Sequence, residues 1–182
     1  IVKRKLSEGK KVIFSGTPCQ IQGLYSYLDD NQYDNLYTVD LICHGVPSPL
    51  LFKKYKEWIE KNKNGKIIEY KFRSKDKNSW ELLSSYVING KTYFKNASMN
   101  PYYDSFIKGN TYRESCYKCK YACKERVGDI TLGDYWGIEE AHPSFYNELG
   151  VSLIIVNSIK GKELMELILD DIEYIESTFE KV

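Results

Sequence analysis

The sequence lacks the features that would place it in a membrane or mark it for export. No apolar run reaches the roughly 18 residues of a membrane-spanning helix, and no signal-peptide pattern opens the chain. The 182 residues carry a formal net charge of only +1, so no global field favours nucleic acid, a membrane surface or an acidic partner. No G-x-G-x-x-G motif is present, so nothing local implies a Rossmann-type dinucleotide fold.

The sequence contains five cysteines: Cys19, Cys43, Cys116, Cys119 and Cys123. An odd number without a secretory signal argues against a disulfide framework and predicts a reducing compartment, the cytoplasm. The length fits one domain over residues 1–182, with no repeat, low-complexity tract or clear linker. Because the chain begins with Ile1 inside a helix-like segment, we expect it to be a piece of a longer protein.

Two strand–helix units open the predicted fold. The stretch "KKVIFSG" predicts a buried strand, and Thr17, Pro18 and Gln20 give the next helix an N-cap, a first-turn proline and a capping box. The stretch "LYTVDLIC" predicts a second strand, and Ser48-Pro49 begins a second helix. Two such units in succession predict parallel strands with right-handed crossovers.

The remainder predicts antiparallel strands and further helices. Five segments are predicted as strands: "KIIEYKFRS", "WELLSSYVI", "KTYFKN", "DITLGDYWGI" and "VSLIIVNS". Asn89-Gly90 joins the second and third of these as a hairpin. Helices are predicted at "NPYYDSFIKG" and "KGKELMELIL". The predicted fold class is therefore α/β to α+β, a mixed sheet with two N-terminal strand–helix units and an antiparallel hairpin portion.

Cys19 lies where a predicted strand is followed by a predicted helix. This position suits a chemical role for the thiol better than a role in core packing. Sites in open α/β sheets form beyond the carboxyl ends of the strands, and Cys43 also follows a predicted strand. If the two strands are neighbours, the two thiols lie near each other. Cys19 is also the predicted second residue of a helix, where the dipole and free N–H groups favour the thiolate, the form that attacks substrates and binds metals.

Two chemical interpretations of these residues remain open. Cys19 could be a nucleophile with His44 as its base and Asp40 as the residue that orients the base. A metal site is the other interpretation, in which Cys19, Cys43 and the C-x-x-C pair Cys116 and Cys119 supply four thiolates, enough for zinc or an iron–sulfur cluster. One local C-x-x-C pair with two dispersed cysteines favours a cluster over structural zinc.

Two further interpretations involve neither a nucleophilic cysteine nor a metal site. The cysteines could simply be buried thiols that fill the core. The stretch "YKFRSKDKNSW" combines basic and aromatic residues and could bind nucleic acid, although such a run is usually a solvated strand end and the overall charge gives no support.

Five motifs and the segment after them resemble a known family. In chain order they are "GTPCQIQGL", "DLICHGVPSP", "YKFRSKDKNSW", "RESCYKCKYA", "RVGDITLGDYWGI" and "GVSLIIVNSIKG". Together they resemble the C-terminal domain of the coenzyme F-420 hydrogenase/dehydrogenase beta-subunit family, from about Val12 to about Leu167. Five motifs in the same order are far more specific than the C-x-x-C pair alone.

The resemblance implies an iron–sulfur flavoprotein oxidoreductase. Family members bind FAD beside a 4Fe–4S cluster and pass electrons between them, and on to a deazaflavin or another small organic hydride acceptor. In many bacterial members this domain follows a ferredoxin-like domain in the same chain. The resemblance therefore implies a ferredoxin-like domain or protein as electron donor. No nucleic-acid partner is expected. The alternative function is a zinc-stabilised or metal-free interaction module without redox activity.

The resemblance also implies specific residues, although none is implied as catalytic. The implied metal ligands are Cys19, Cys43, Cys116 and Cys119. The implied cofactor-binding residues are Gly16, Thr17, Arg73, Lys75, Asp129, Gly133, Asp134 and Trp136. Arg73 and Lys75 are candidates for the flavin phosphates, since an arginine fork suits bidentate contact. Trp136 could equally belong to the core, and Arg126 could be a pocket cation or a salt-bridge partner.

Two features depart from the family pattern. Cys123 adds a third thiol to the local pair, and we expect it to be a spare rather than a replacement for Cys43 as ligand. The family's N-terminal portion, which helps to bind the flavin, does not precede Ile1 in this sequence. We therefore expect the FAD site of this fragment to be incomplete.

Overall fold

The computed structural model describes residues 1–29, 33–77 and 80–181. The chain divides into two compact units. The first unit comprises Ile1–Cys43 together with Lys120–Val182, and the second comprises His44–Cys119. The predicted mixed α/β fold class is confirmed, because helices alternate with both parallel and antiparallel strands.

The first unit contains a four-stranded mixed sheet. Its elements in chain order are α1 (Val2–Ser7), β1 (Val12–Gly16), α2 (Pro18–Tyr27), β2 (Leu36–Leu41), β6 (Ile130–Asp134), α6 (Ile138–Ala141), β7 (Ser152–Val156) and α7 (Ile159–Glu166), with the labels omitted here belonging to the second unit. The strand order is β1-β2-β6-β7. The first three strands are parallel, and β7 runs antiparallel to β6. The predicted parallel pairing of the first two strands is therefore confirmed.

The two N-terminal helices cover one face of this sheet. Leu6 of α1 and Leu24 of α2 pack with Leu28 and Leu36 in a buried cluster that also receives Phe14 of β1. The predicted helix start is confirmed, since Thr17 is the N-cap of α2 and forms a capping box with Gln20. This packing holds the turn between β1 and α2 against the sheet.

A buried ion pair joins the end of β2 to the segment that precedes β6. Asp40 is fully buried, and the side chain of Arg126 is only 9% exposed; Arg126 Nη2 donates to Asp40 Oδ1 at 3.2 Å. The other carboxylate oxygen of Asp40 accepts from the backbone N–H groups of Val127 and Gly128 at 3.2 and 3.0 Å. Arg126 Nη2 also donates to the carbonyl of Leu41 at 3.0 Å. Because a buried charge needs a partner, neither side chain can be removed alone without a large cost.

A second polar network, centred on Asp129, lies at the same amino end of β6. Asp129 Oδ2 accepts from the backbone N–H and the hydroxyl of Thr38, at 2.8 and 2.9 Å. Asp129 Oδ1 accepts from the Ser158 hydroxyl at 2.6 Å, and the same Ser158 oxygen caps α7 by accepting from the N–H of Gly161. A Cβ atom at Gly161 would overlap the carbonyl oxygen of Asp129. Glycine is therefore required where α7 approaches β6.

The second unit contains its own three-stranded antiparallel sheet. Its elements in chain order are α3 (Pro49–Lys63), β3 (Ile67–Lys71), β4 (Leu83–Ile88), β5 (Lys91–Asn96), α4 (Pro101–Ile107) and α5 (Glu114–Tyr117). The strand order is β3-β4-β5, so the predicted hairpin lies in a sheet separate from β1 and β2. The helix predicted after the second strand, α3, belongs to this unit, with Ser48 as its N-cap.

An aromatic core holds α3 on this sheet. Ile59 of α3 packs with Tyr86 and Ile88 of β4, and the Tyr86 ring is nearly parallel to the Tyr70 ring at a centroid distance of 6.2 Å. Burial raises the pKa of Tyr70, whose hydroxyl accepts from the side-chain amide of Asn100 at 2.9 Å. Most of the abundant tyrosine that the sequence places here is thus packed inside the unit rather than displayed as a stacking surface.

Replacement of Arg126 by methionine should strongly destabilise the protein, because the carboxylate of Asp40 would stay buried without its partner. We expect a loss of about 3–5 kcal/mol in the free energy of unfolding. Urea unfolding followed by tryptophan fluorescence measures the loss, with Lys124→Met as the control, since Lys124 is exposed in the same segment. The double variant Asp40→Asn/Arg126→Met should recover part of the loss. Equal stability of Arg126→Met and Lys124→Met would contradict the prediction.

Candidate functional site

The predicted site elements of the first unit meet at the carboxyl edge of its sheet. Gly16 at the end of β1 pairs with Asp40 near the end of β2, and Cys19 and Cys43 each lie three residues after one of these two paired residues. Cys19 and Cys43 therefore emerge from neighbouring parallel strands at the same edge of the sheet. This is the edge at which open α/β sheets form their sites.

The turn that carries Cys19 is shaped by its own side chains. The backbone N–H of Thr17 donates to Gln20 Oε1 at 2.9 Å, and Thr17 Oγ1 lies 3.1 Å from Cys19 Sγ. Cys19 is the second residue of α2 and is exposed. The fold thus presents this thiol to solvent at the start of a ten-residue helix, beside a hydroxyl that can hydrogen-bond the sulfur.

The third parallel strand brings two more predicted residues to this edge. Asp134 ends β6 and is exposed, and the Trp136 side chain beyond it is 53% exposed, so Trp136 is not a core residue. Packing explains the glycine at position 133, because a Cβ atom on Gly133 would lie 2.8 Å from Cδ1 of Ile42. Asp129 lies at the amino end of β6 instead, where its carboxylate joins Thr38 and Ser158.

Cys123 lies in a loop that Arg126 organises. Arg126 Nη1 donates to the carbonyls of Tyr121 and Cys123 at 3.3 and 3.4 Å, in addition to the ion pair with Asp40. Of the two roles considered for Arg126, the structure shows the salt bridge. The exposed thiol of Cys123 lies 3.3 Å from the carbonyl of Glu125.

In the second unit, the chain after Cys43 is tied to the chain before Cys116. Pro47 forms an antiparallel bridge with Tyr112, and the N–H of Arg113 donates to the carbonyl of Val46 at 2.9 Å. The ring of Tyr112 also meets that of Tyr117 at a centroid distance of 5.4 Å. Sequence patterns did not reveal this pairing, because a single bridge has no periodic signal.

His44 is a structural residue of this pairing. Its ring contacts those of Phe106 and Tyr112 edge to face, at centroid distances of 5.2 and 5.5 Å. His44 Nε2 lies 3.0 Å from the carbonyl oxygen of Ile107, and since a carbonyl only accepts, this nitrogen donates. Asp40 in turn is held by Arg126 and backbone N–H groups. These contacts argue against the nucleophile interpretation, in which Asp40 orients His44.

The C-x-x-C pair lies at the short helix α5. Cys116 is within the helix and is partly exposed, whereas Cys119 follows it and is exposed. The hydroxyl of Tyr117, between them in sequence, accepts from the backbone N–H of Tyr112 at 3.1 Å. This contact anchors the turn while leaving both thiols accessible.

The predicted phosphate-binding residues Arg73 and Lys75 lie in the loop after β3. Its centre is the buried Ser74, whose N–H donates to the carbonyl of Leu83 at 2.7 Å and whose hydroxyl donates to Asp76 at 2.9 Å. Arg73 Nη2 donates to the carbonyl of Trp80 at 3.4 Å, and Lys75 is exposed. Asn78 and Ser79, part of the stretch considered for nucleic acid, lie outside the described residues.

The five cysteines provide accessible thiols. All are free, four are exposed, and Cys116 is partly exposed, so the interpretation as buried core thiols is wrong. Soft thiolate donors of this kind suit zinc or an iron–sulfur cluster. In residues 1–29, 33–77 and 80–181, however, no group of three or more His, Cys, Asp or Glu side chains is arranged to hold a metal ion. The residue types therefore fit a thiolate-bound metal, and the ligand set stays a prediction.

The described residues include no helix that is both long and apolar enough to cross a membrane.

Comparison with known proteins identifies relatives by fold. The chain resembles one chain of the F420-reducing [NiFe] hydrogenase complex from Methanosarcina barkeri, with a TM-score of 0.51 and 16% sequence identity. The similarity covers 93% of this chain and 52% of that chain, so this chain spans about half the length of its structural relative. No curated protein matches the sequence.

A family model matches almost the entire sequence. The model describes the C terminus of the beta subunit of coenzyme F420 hydrogenase/dehydrogenase, and it matches residues 9–181. This confirms the resemblance that the ordered motifs indicated. The chain therefore belongs to the coenzyme F420 hydrogenase/dehydrogenase beta-subunit family and corresponds to its C-terminal part.

Proposed function

We propose that the chain is the iron–sulfur flavoprotein part of an oxidoreductase that exchanges electrons with a deazaflavin or another organic acceptor. The observation that carries this proposal is the placement of Cys19 and Cys43 after neighbouring parallel strands, in a chain that belongs to this family. A soluble, cytoplasmic enzyme with a ferredoxin-like donor fits the free cysteines and the family. A zinc-stabilised or metal-free interaction module is the competing function.

Four cysteines are the proposed ligands of a 4Fe–4S cluster: Cys19, Cys43, Cys116 and Cys119. When bound, such a cluster supplies single-electron transfer and FAD exchanges single electrons for a hydride. The residues of this chain hold and expose the thiols. The helix packing and the capping box fix the turn of Cys19, and the Asp40–Arg126 ion pair fixes the end of the strand that leads to Cys43.

The proposed flavin contacts are the backbone at Gly16 and Thr17, the carboxylate and indole of Asp134 and Trp136, and the cations Arg73 and Lys75. The indole of Trp136 is 53% exposed at the carboxyl edge, and a guanidinium such as that of Arg73 is the group best suited to bind a phosphate. Asp129 and Gly133 were also implied as pocket residues. Their contacts in the structure support packing roles instead, since Asp129 joins three elements and Gly133 makes room for Ile42.

Protein prepared without oxygen should contain iron and acid-labile sulfide in equal amounts. We expect a broad absorbance near the flavin region that fades on reduction, because thiolate-bound clusters are coloured and redox-active. Metal analysis and a sulfide assay on the same sample provide the test. Stoichiometric zinc with neither iron nor sulfide would contradict the cluster and support the interaction module.

Serine substitutions should separate the ligands from the spare thiol. Cys19→Ser, Cys43→Ser, Cys116→Ser and Cys119→Ser should each sharply reduce the iron content, because each removes a covalent anchor of the cluster. Cys123→Ser is the matched control and should leave the iron nearly unchanged. If Cys123→Ser loses iron while Cys43→Ser keeps it, the fourth ligand is Cys123.

Arg73→Ala should weaken FAD binding about tenfold, as expected for the loss of a hydrogen bond to a charged group. Titration followed by flavin fluorescence measures the affinity, and thermal unfolding checks that the variant is folded. Lys77→Ala is the matched control, since Lys77 lies in the same loop with its ammonium 4.7 Å from the centre of the Phe94 ring. Where the unmodified protein binds FAD, unchanged binding in Arg73→Ala would exclude Arg73.

A further inference from the structure

The small net charge of the chain conceals a strong separation of charge between its two units. Residues 44–119 contain 15 Lys and Arg against seven Asp and Glu, a formal charge of +8. The remaining residues carry a formal charge of −7. The prediction from the whole chain, that no acidic partner is favoured, therefore does not apply to the second unit. A unit of this size and charge attracts acidic molecules over several ångströms at low salt.

The outward face of α3 combines this charge with exposed apolar groups. One side of the helix is buried against the sheet through Ile59, while the opposite side presents Leu50, Lys54, Trp58 and Lys61 at helical spacing. Leu50 is 62% exposed and Trp58 is 56% exposed. We call these four residues the α3 face.

Trp58 is positioned as an anchor on the α3 face. Its ring stacks on that of Tyr55 with a centroid distance of 6.0 Å and an interplanar angle of 21°, so the indole is supported while more than half of it stays exposed. Exposed tryptophans surrounded by polar residues are the side chains that most often dominate the energy of a protein–protein contact. The flanking lysines would form the charged rim of such a contact.

The lysines of this face are largely available for a partner. Lys54 pairs with Glu57 of the same helix at 3.0 Å, in an exposed pair that contributes little to stability. In the part of the chain that the structure describes, Lys61 pairs with no carboxylate. A partner with carboxylates could therefore gain contacts here at the cost of no more than the exposed Lys54–Glu57 pair.

The type of cation argues for a protein partner rather than a nucleic acid. The second unit has 13 lysines but only two arginines. Arginine is the residue that recognises phosphates and base edges in the bidentate manner, whereas lysine acts as a hydrated point charge. Complementary charge across an interface speeds association and makes it sensitive to salt, and weak electron-transfer encounters use the smallest protein interfaces.

We propose that the α3 face is the docking surface for a small acidic electron-carrier protein. This inference rests on the proposed redox function, and it adds the surface and the charge of the partner. The contact combines the indole of Trp58 at its centre with Lys54 and Lys61 at its rim. The proposal concerns docking alone and assigns no electron path.

The test measures binding of an acidic bacterial ferredoxin to the purified protein by isothermal titration calorimetry. Binding should weaken strongly between about 0.01 M and about 0.1 M salt, where the Debye length falls from about 30 Å to about 10 Å. Lys54→Glu/Lys61→Glu should bind about tenfold more weakly at low salt. The charge control is Lys10→Glu/Lys11→Glu, which reverses two exposed lysines of the first unit and should bind nearly as the unmodified protein does.

A second pair of variants tests the apolar anchor. Trp58→Ala should also bind about tenfold more weakly, as expected for an interface anchor. Ile68→Ala is its control, because Ile68 is 77% exposed in the same unit but lies on β3. Circular dichroism checks that each variant is folded, and exposed positions make unfolding improbable as a cause of lost binding.

Four outcomes would overturn the proposal. The first is no binding of ferredoxin at low salt, and the second is an equal loss of binding in the test and control variants. The third is tighter, salt-sensitive binding of a single-stranded RNA oligonucleotide that the same variants abolish. The fourth is self-association of the protein through the same residues. Calorimetry measures ferredoxin binding whether or not the chain contains iron, and the iron and sulfide assay is carried out without ferredoxin. Failure of docking is therefore distinguishable from failure of the proposed redox function.

Discussion

The buried ion pair between Asp40 and Arg126 is the interaction on which the candidate site depends. Its two charges are satisfied by each other, by two N–H groups and by three carbonyls, so the end of β2, the Cys123 loop and the approach to β6 share one set of polar contacts. A buried pair of this kind adds little stability relative to apolar packing, but removal of one partner is strongly destabilising because it leaves the other charge buried. Through the carbonyl of Leu41, Arg126 also contacts the chain two residues before Cys43.

Different kinds of interaction stabilise the two units of the chain. In the first unit, a mixed sheet ends in short polar turns, and hydrogen bonds of Thr17, Asp40 and Asp129 hold those turns in place. In the second unit, stacked aromatic rings bury the contact between α3 and an antiparallel meander. The first arrangement holds the turn that presents the exposed thiol of Cys19, and the second leaves Leu50 and Trp58 of α3 exposed.

Much of the local structure was predictable because it depends on neighbouring residues. The capping box at Thr17, the prolines that begin α2 and α3, and the hairpin at Asn89 and Gly90 are all confirmed. These features need only a few consecutive side chains and backbone angles. The family was predictable for a similar reason, since its motifs are short and keep their order.

The roles of individual polar residues were less predictable, because they depend on contacts across the sequence. Asp129 lies in a conspicuous motif, yet its carboxylate serves Thr38 and Ser158, which are remote from it in the chain. Gly133 is explained by the side chain of Ile42 and His44 by the carbonyl of Ile107. A motif identifies that a residue matters, whereas only the packing shows what it contacts.

The sequence alone determined the family, the element types, the parallel strands that precede Cys19 and Cys43, and the number of free thiols. The tertiary structure decided where one compact unit ends and the other begins, and so converted a net charge of +1 into units of +8 and −7. It also decided which face of α3 is buried and which sheet receives the hairpin. The physical reason is that local patterns follow from consecutive residues, whereas surfaces, unit boundaries and buried ion pairs exist only after distant segments have packed together.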